Sequence, residues 1–240
     1  MNKAVDPRRI MLISNSFCFG KGYFDHCIHA VRAFLGEDAR RVLFVPYALK
    51  DWNGYTEIAR KAFAAVGITV VSIHDRQHGL EEHTAILVGG GNTFRLLAAL
   101  YRYNLVNAVR ELVLAGKLTY IGASAGSNVA GPTIMTTNDM PIAFPPSFNA
   151  FGIVPFQINP HFLDADPNSR HMGEPREKRI AEFHEEDENN ATVIGIREGA
   201  WMTVEGDLVR LNGTGGARIF QKGHVAREWD WAPLPFGARL

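Results

Sequence analysis

The segment TAILVGGGNTFRLLAALYRYNLVNAVRELVLAGKLTYIGASAGS, residues 84–127, carries the pattern that decides the fold class. Its two apolar runs, TAILVGG and KLTYIGA, are short and continuous, which is typical of buried strands. Between them lie TFRLLAALYR and LVNAVRELVLAG, whose apolar residues recur at helical spacing. The second of these ends at Gly116, a common helix stop. Two buried strands separated by helices predict parallel strands in one sheet.

The same alternation extends towards the N-terminus. Three further apolar runs are RIMLIS (9–14), RVLFVPY (41–47) and ITVVSIH (68–74). They are separated by the helical patterns YFDHCIHAVRAFLG (23–36) and YTEIARKAFAAVG (55–67). Strand and helix in alternation predict an α/β fold, with a mostly parallel sheet and helices on both of its faces. Ligands of such sheets bind beyond the carboxyl ends of the strands, so the site is expected there.

The C-terminal half has a different pattern. Residues 142–162 are rich in proline and aromatic residues, which predicts an ordered loop with a short strand at VPFQIN. A charged helix is predicted at EPREKRIAEFHEE (174–186), followed by a strand at ATVIGI (191–196) and two β-hairpins that turn at 205–207 and 222–223. No repeat, low-complexity tract or linker divides the chain, so residues 1–240 are expected to form a single α/β domain.

Composition excludes several function classes. The 240 residues include 25 basic and 25 acidic side chains, and this zero net charge argues against a nucleic-acid-binding surface. No apolar stretch has the length of a membrane span or of a signal-peptide core. Two cysteines, Cys18 and Cys27, form no disulfide framework and suit a reducing compartment. We therefore expect a cytoplasmic protein with neither nucleic-acid nor membrane partners.

The stretch GASAGS places Ser124 directly after a predicted strand. Gly122 to Gly126 match G-x-S-x-G, in which a tight strand-to-helix turn exposes a serine hydroxyl and small neighbours permit the turn. Small-residue turns also occur for packing alone, so the motif by itself leaves catalysis and packing equally open.

A run of three glycines, Gly89 to Gly91, ends another predicted strand at the same edge of the sheet. Glycines let the backbone approach a ligand and present its amides. One interpretation is a nucleotide-binding turn, although neither G-x-G-x-x-G nor the Walker pattern is present. The other is an oxyanion hole, formed by Gly90 or Gly91 with the amide of Ala125, the residue after the serine.

A serine nucleophile needs a general base, and the base needs an orienting acid. His161 follows the short strand VPFQIN, and the candidate acids are Asp139 in TTNDMP and Glu198 in REGAW. Glu198 is slightly favoured because it follows the strand ATVIGI directly. Asp139, however, would give the chain order of the α/β-hydrolases. The sequence therefore leaves both acids open.

The remaining histidines are not predicted to take part in the chemistry. His26 and His29, with Asp25 and Cys27, are predicted to lie on one helix without a second pair of ligands nearby, so we expect no metal. Polar surroundings predict surface positions for the other six, which are His74, His78, His83, His171, His184 and His224.

Six stretches together resemble the peptidase E family of α-aspartyl dipeptidases, in the same order and spacing. They are GGGNTFRLL, GASAGSN, GPTIMTTNDMPI, INPHF, GEPREKRI and VIGIREGAW. The resemblance covers most of the chain, from LISNS at residues 12–16 to the final hairpins. It implies the glutamine-amidotransferase-like α/β architecture. It also implies a serine exopeptidase, without metal or cofactor, that releases N-terminal aspartate from Asp-Xaa dipeptides and short peptides.

The resemblance also implies roles for individual residues. Ser124 is the nucleophile and His161 the general base, with Asp139 or Glu198 as the acid. Arg176 is the first arginine of the pattern GE-x-RE-x-RI and meets the substrate aspartate, and Asn92 is assigned to substrate binding. The departures from the family pattern are FCFGKG (17–22), Pro175 and the tail from 229 to 240, and the tail leaves a homodimer open.

The chemistry of the residues is compatible with that role for Arg176. A buried substrate carboxylate needs a cation, and a guanidinium can hold both of its oxygens. On a helix Arg176 and Arg179 share a face and Lys178 points elsewhere. The alternative for all three is an ordinary solvated helix face.

Two other functions remain open at this point. One is a cyanophycinase-like hydrolase of an aspartate-linked polymer, which would keep the triad but need an extended cleft. The chain shows no obvious insertion to build such a cleft. The other is a non-catalytic small-molecule binder on the same fold, which would not need Ser124, His161 and an acid together.

Overall fold

The computed structural model describes residues 6–75, 79–170, 172–206 and 208–236. The α-helices in these ranges are α1 (Ile28–Leu35), α2 (Trp52–Ala64), α3 (Thr93–Arg102), α4 (Leu105–Leu114), α5 (Ala125–Asn128) and α6 (Arg176–Glu185). The strands are β1 (Arg9–Ile13), β2 (Arg41–Val45), β3 (Thr69–Ser72), β4 (Ala85–Val88), β5 (Thr119–Ala123), β6 (Gln157–Pro160), β7 (Val193–Ile196), β8 (Ala200–Glu205), β9 (Leu208–Gly213), β10 (Ala217–Phe220), β11 (Arg227–Glu228) and β12 (Leu234–Pro235). Over the same ranges, no helix has the length and apolar character needed to cross a membrane.

Eight strands form the larger sheet, in the order β12-β9-β8-β1-β5-β4-β2-β3. The five predicted strands, β1 to β5, are its parallel part. The hairpin β8–β9 extends the sheet because β8 pairs antiparallel with β1. The predicted class, a mostly parallel sheet with flanking helices and C-terminal hairpins, is confirmed. The first predicted hairpin turn joins β8 to β9, although residue 207 lies outside the described ranges.

The parallel strands are continuous apolar runs because both faces of the sheet are covered. In β1, the fully buried Ile10 belongs to a core that includes residues of α3 and α4. Its neighbour Met11, also fully buried, belongs to a second core with residues of α1 and α2 on the opposite face. Burying one such side chain contributes about 1.5–3 kcal/mol, so alternate residues of each strand stabilise different layers.

Four strands form a smaller sheet, in the order β11-β10-β7-β6. Strands β6 and β7 are parallel, and β10 pairs antiparallel with β7 and β11. Residues such as Ile194 and Ile219 join the core of the larger sheet. On the other face of the smaller sheet, Ile180 of α6 packs in a separate cluster with Phe162 and Phe220. The short strand and the second hairpin predicted from the sequence are therefore parts of this sheet.

Helix α1 starts later than the pattern predicted. Residues 23–27 form turns, and the helix begins at Ile28. The Asp25 carboxylate accepts a hydrogen bond from the Gly22 N–H at 2.6 Å, and Phe24 adopts a positive φ of 63°. The prediction that His26 lies with His29 on one helix was therefore wrong. In the described part of the chain, no group of three or more His, Cys, Asp or Glu side chains could hold a metal ion.

Two of the histidines predicted at the surface are buried. His83 is 6% exposed and His184 is 8% exposed. His184 lies four residues after Ile180, on the face of α6 that packs against the sheet, and its Nε2 bonds the Ala191 carbonyl at 3.0 Å. His224 is exposed as predicted, and His78 and His171 lie outside the described ranges.

Candidate active site

Ser124 lies in the turn between β5 and α5, at the carboxyl end of the parallel strands. Its φ of 54° and ψ of −110° form a conformation that residues with a side chain rarely adopt. A β-carbon at Gly122 would lie 2.4 Å from the Gly126 carbonyl oxygen, and one at Gly126 would lie 2.0 Å from that of Val88. The glycines on both sides of Ser124 are therefore required by the packing of the turn that presents its hydroxyl.

The ring of His161 faces this hydroxyl. His161 follows β6, and its Nε2 lies 2.9 Å from Ser124 Oγ. Its Nδ1 lies 2.7 Å from Oε1 of Glu198, which follows β7, the strand beside β6. Hydroxyl, imidazole and carboxylate thus form a continuous chain of hydrogen bonds. In such a chain the imidazole can accept the hydroxyl proton while the carboxylate orients the ring and stabilises its positive charge.

Two fully buried polar residues after β1 hold the backbone around this chain. Ser14 Oγ accepts a hydrogen bond from the His161 N–H at 2.9 Å and donates one to the Ile196 carbonyl at 2.8 Å. Asn15 Oδ1 accepts a hydrogen bond from the Gly199 N–H at 2.9 Å. Neither residue is among those predicted from the sequence. The available signal was a pair of polar residues directly after a buried parallel strand, where ligands bind.

Asp139, the other candidate acid, is engaged elsewhere. Its Oδ2 accepts hydrogen bonds from the Thr93 N–H at 2.7 Å and from the Thr137 hydroxyl at 3.2 Å. Thr93 begins α3, where the helix dipole favours a negative charge. Asp139 and His161 both lie in the described ranges, and no hydrogen bond or ion pair joins them. The structure thus brings Glu198, and not Asp139, to His161.

The glycine turn after β4 lies against Ser124. A β-carbon at Gly90 would lie 3.0 Å from the Ser124 β-carbon, so Gly90 packs directly on the serine. Gly91 has a φ of 131°, and a β-carbon there would lie 2.8 Å from the Ala48 carbonyl oxygen. Ala125 begins α5, and the first amides of a helix have no acceptor within the helix. The glycine turn and the start of α5 therefore both lie beside Ser124, and the oxyanion hole stays a prediction.

Asn92 is part of the scaffold of the same turn. Its Oδ1 accepts a hydrogen bond from the Arg95 N–H at 3.0 Å, which caps α3. Its Nδ2 donates to the Met140 carbonyl at 2.9 Å. Both ends of the amide therefore form one hydrogen bond within the protein, and each end keeps one further hydrogen-bonding position.

A cavity of about 590 Å³ opens over Ser124, which is within the usual size range of small-molecule sites. Its lining includes His161, Glu198, Asp139 and Arg176, together with the apolar side chains of Phe162 and Leu163. The candidate nucleophile, base and acid and the candidate selector thus face one space.

Arg176 is the first residue of α6 and is half-buried in the cavity wall. Within the described residues, its guanidinium has no hydrogen-bond or ion-pair partner. Burial lowers the pKa of Arg176, and the neighbouring charge of Arg179 lowers it further, whereas the charge of Asp139 raises it. An arginine stays protonated at neutral pH even so. The cavity therefore contains an unpaired cation suited to a carboxylate ligand.

An ionic cluster lies beside the cavity, formed by Asp164, Glu177, Arg197, Arg218 and Glu228. Arg197 donates to both carboxylate oxygens of Asp164, at 2.5 and 2.9 Å, and to both of Glu228, at 2.9 and 2.7 Å. These hydrogen bonds lower the pKa of both carboxyl groups. Because Arg197 precedes Glu198 and Asp164 follows His161 by three residues, the cluster ties together the segments that carry the acid and the base.

A hydroxyl bonded to an imidazole and a carboxylate, at the carboxyl edge of an α/β sheet, defines a serine-type hydrolase site. The chain belongs to peptidase family S51, because a sequence profile of that family matches residues 10–212. Peptidase E of Streptomyces coelicolor is 51% identical over 222 residues, which are 91% of this chain and 90% of that protein. A probable alpha-aspartyl dipeptidase of Drosophila melanogaster is 45% identical over 218 residues, 89% of this chain and 90% of that protein. The family predicted from the sequence is confirmed, and the chain is a serine-type peptidase.

Solved structures show the same fold. The crystal structure of a putative peptidase E protein from Listeria monocytogenes matches with a TM-score of 0.64, covering 86% of this chain and 98% of that one at 24% identity. A peptidase from an acI-B1 actinobacterium matches with a TM-score of 0.66, covering 95% and 97% at 14% identity. At these identities the likeness concerns the fold alone.

Proposed function

We propose that this chain is a serine exopeptidase that removes an N-terminal aspartate from dipeptides and short peptides. The observation that carries the proposal is that the Ser124–His161–Glu198 chain shares its cavity with Arg176, a cation that has no ion-pair partner among the described residues. The names of the relatives from Streptomyces coelicolor and Drosophila melanogaster support the same specificity.

In the proposed mechanism, Ser124 Oγ attacks the carbonyl carbon of the N-terminal aspartate, and its proton passes to His161 Nε2. Glu198 holds the Nδ1 proton and stabilises the imidazolium. His161 then gives the proton to the leaving amine, which leaves an acyl-enzyme on Ser124. A water molecule, activated by the same imidazole, hydrolyses the ester and releases aspartate.

Charge on the tetrahedral intermediate needs donors that are already in place. We assign this role to the Ala125 N–H together with an amide of the Gly90–Gly91 turn. A β-carbon at Gly90 would lie only 3.0 Å from the Ser124 β-carbon, so the turn lies close to the serine that carries the reacting oxygen. Removing one such donor typically costs about 10²–10³-fold in kcat.

Specificity for an N-terminal aspartate requires two opposite charges in the cavity. Arg176 is proposed to bind the side-chain carboxylate of the substrate, since burying that group without a cation would be costly. Asp139 uses Oδ2 within the protein, and its other oxygen is proposed to face the α-ammonium group. Asn92 is proposed to act indirectly, by capping α3 and holding Met140.

The test replaces Arg176 by alanine and compares Asp-Leu with Asn-Leu. Truncating one partner of a buried charge pair costs roughly 2–5 kcal/mol, or about 30- to 5,000-fold in affinity. We expect kcat/KM for Asp-Leu to fall by at least about 30-fold, while the low activity on Asn-Leu changes little. Arg179→Ala, on the same helix face, is the matched control. An equal fractional loss on both substrates would show that Arg176 supports the fold and does not select aspartate.

The same assay separates the other candidate functions. Isoaspartyl dipeptides and cyanophycin are incubated alongside Asp-Leu, and products are followed chromatographically. We expect turnover of Asp-Leu alone. Release from cyanophycin would indicate the polymer hydrolase, and no turnover of any substrate would indicate a binder; the peptidase relatives favour neither.

We also propose that the protein acts in the cytoplasm, where its two free thiols, Cys18 and Cys27, would stay reduced. Cell fractionation tests this location. A homodimer is the proposed assembly, and the exposed apolar side chains of Met140, Ile142 and Phe144 beside the site would give it a contact surface. Sedimentation of the purified protein distinguishes a dimer from a monomer.

A further inference from the structure

Helix α6 is attached to the smaller sheet mainly by its later turns. Its buried residues are Ile180 and His184, whereas Arg176 belongs to its first turn. Pro175, which precedes the helix, makes no capping hydrogen bond through its side chain. The position of Arg176 over the cavity therefore needs some other contact between this first turn and the sheet.

Glu177 supplies that contact. Its Oε2 accepts a hydrogen bond from Arg218 at 2.7 Å. Lys178 pairs with Glu174, which lies just before the helix, and so does not reach the sheet. Among the described residues, Glu177 is the one side chain of the first turn, 176–179, that forms an ion pair with the sheet.

Arg218 is itself held firmly. It lies in β10, between Gly195 of β7 and Glu228 of β11, and its side chain is 19% exposed. Its guanidinium lies over the ring of Phe220, 5.5 Å from the centroid. Asp164 and Glu228 approach its nitrogens at 3.6 and 3.5 Å. A guanidinium fixed on several sides provides a rigid anchor for the more mobile partner of an ion pair.

We infer that Arg218 is a specificity-positioning residue: through Glu177 it fixes the first turn of α6 and so holds Arg176 in place for the substrate aspartate. This inference rests on the proposed function of Arg176. Neither Arg218 nor Glu177 touches substrate in this arrangement. Loss of their bond lets the turn shift without removing any reacting group, and a displacement of about 1 Å in a positioning element costs up to about 10²-fold.

The test replaces Glu177 by glutamine, which removes the charge that meets Arg218 and leaves Arg218 with its other carboxylates. We expect KM for Asp-Leu to rise about tenfold, kcat to change less than about twofold, and the values for Asn-Leu to stay constant. Lys178→Gln, which breaks the neighbouring pair with Glu174, is the matched control and should leave all of these values unchanged.

A second pair of variants changes Arg218, the partner of Glu177 in the smaller sheet. Arg218→Gln should reproduce the rise in KM, and Arg218→Lys should restore most of the loss because it keeps a cation opposite Glu177. In an Arg176→Ala background, Glu177→Gln should have no further effect on the preference for Asp-Leu over Asn-Leu. The midpoint of thermal unfolding is measured for every variant, so that a rise in KM caused by a general loss of stability is recognised.

Failure of this inference is distinguishable from failure of the proposed function. If Arg176→Ala leaves the preference for aspartate intact, the proposed selector is wrong. If Arg176→Ala removes the preference but Glu177→Gln leaves KM unchanged, the positioning role of Arg218 alone is overturned. Equal losses on both substrates in Glu177→Gln would likewise overturn it, because they would indicate a structural role.

Discussion

The two sheets contribute different parts of the candidate site in different ways. The larger sheet carries Ser124 in a turn shaped by its own neighbours, since Gly122 and Gly126 are needed where they stand. The smaller sheet carries His161 and Glu198 at the ends of two adjacent strands. Local backbone sterics thus place the proposed nucleophile, whereas long-range strand pairing places the proposed base and acid. Replacing the nucleophile should therefore remove a reacting atom, whereas replacing the acid should leave every reacting atom in place and misorient the base.

The largest effect is expected for Ser124→Ala. It removes the attacking oxygen and keeps the hydrogen bond from the residue 124 N–H to the Ile13 carbonyl, at 2.9 Å. We expect kcat for Asp-Leu to fall about 10⁶-fold, as in other serine peptidases that lose the nucleophile, with an unchanged circular dichroism spectrum. A turnover rate close to that of the parent protein would show that Ser124 is not the nucleophile.

The second largest effect on kcat is expected for one of the two candidate acids, Glu198 and Asp139, which lie one in each region. Glu198→Gln in the smaller sheet is expected to lower kcat about 10⁴-fold, because the amide no longer orients His161 and stabilises its charge. Asp139→Asn, beside the larger sheet, is expected to raise KM and to lower kcat less than about tenfold, since substrate binding is its proposed role. Steady-state kinetics on Asp-Leu measure both. The reverse pattern would assign the acid to Asp139.

The smallest effect concerns stability. Hydrogen bonds from Arg197 lower the pKa of Asp164 and of Glu228. The two carboxylates therefore stabilise the fold at any pH above their ordinary pKa values. This contribution is lost as the pH falls through their lowered pKa values in the folded protein. Solvent screens both groups, so Arg197→Met should cost no more than about 1 kcal/mol at pH 7. The difference in the free energy of unfolding between Arg197→Met and the parent protein should shrink below about pH 4.

Urea unfolding at pH 7 and pH 3 measures this change. Arg60→Met is the control beside the larger sheet, because it breaks the exposed pairs with Glu57 and Asp75. We expect Arg60→Met to lower the free energy of unfolding by less than Arg197→Met does, and we expect this loss to vary less with pH. An Arg197→Met deficit of equal size at both pH values would mean that the ionic cluster does not stabilise the fold through its charges.

The sequence predicts the two regions unequally, for a physical reason. Each parallel strand is a continuous apolar run, and helical patterns separate most of these strands, so local periodicity suffices for the parallel part of the larger sheet. Strands β6 and β7 follow irregular segments, and α6 lies between them in the chain. The contact of His161 with Ser14 spans 147 residues. Periodicity contains no information about such pairing, which is why the sequence leaves both acids open, with only a slight preference for Glu198 over Asp139.

The later start of α1 has a local cause. The helical pattern from residue 23 continued through Phe24, but a positive φ there breaks the helix. The sequence predicts no role for Arg197 or Arg218, because their hydrogen-bond partners lie 31 to 41 residues away along the chain. Their role emerges only where β7, β10 and β11 meet.

The unusual backbone of the site has a consequence for how this protein can evolve. Ser124 and His161 both have positive φ values, 54° and 52°, and such conformations cost about 1–3 kcal/mol each in residues with a side chain. Glycine at either position would relieve that cost and abolish catalysis. Selection for turnover is therefore what keeps serine and histidine there. Where turnover is not selected, glycine at either position carries no steric penalty from the positive φ.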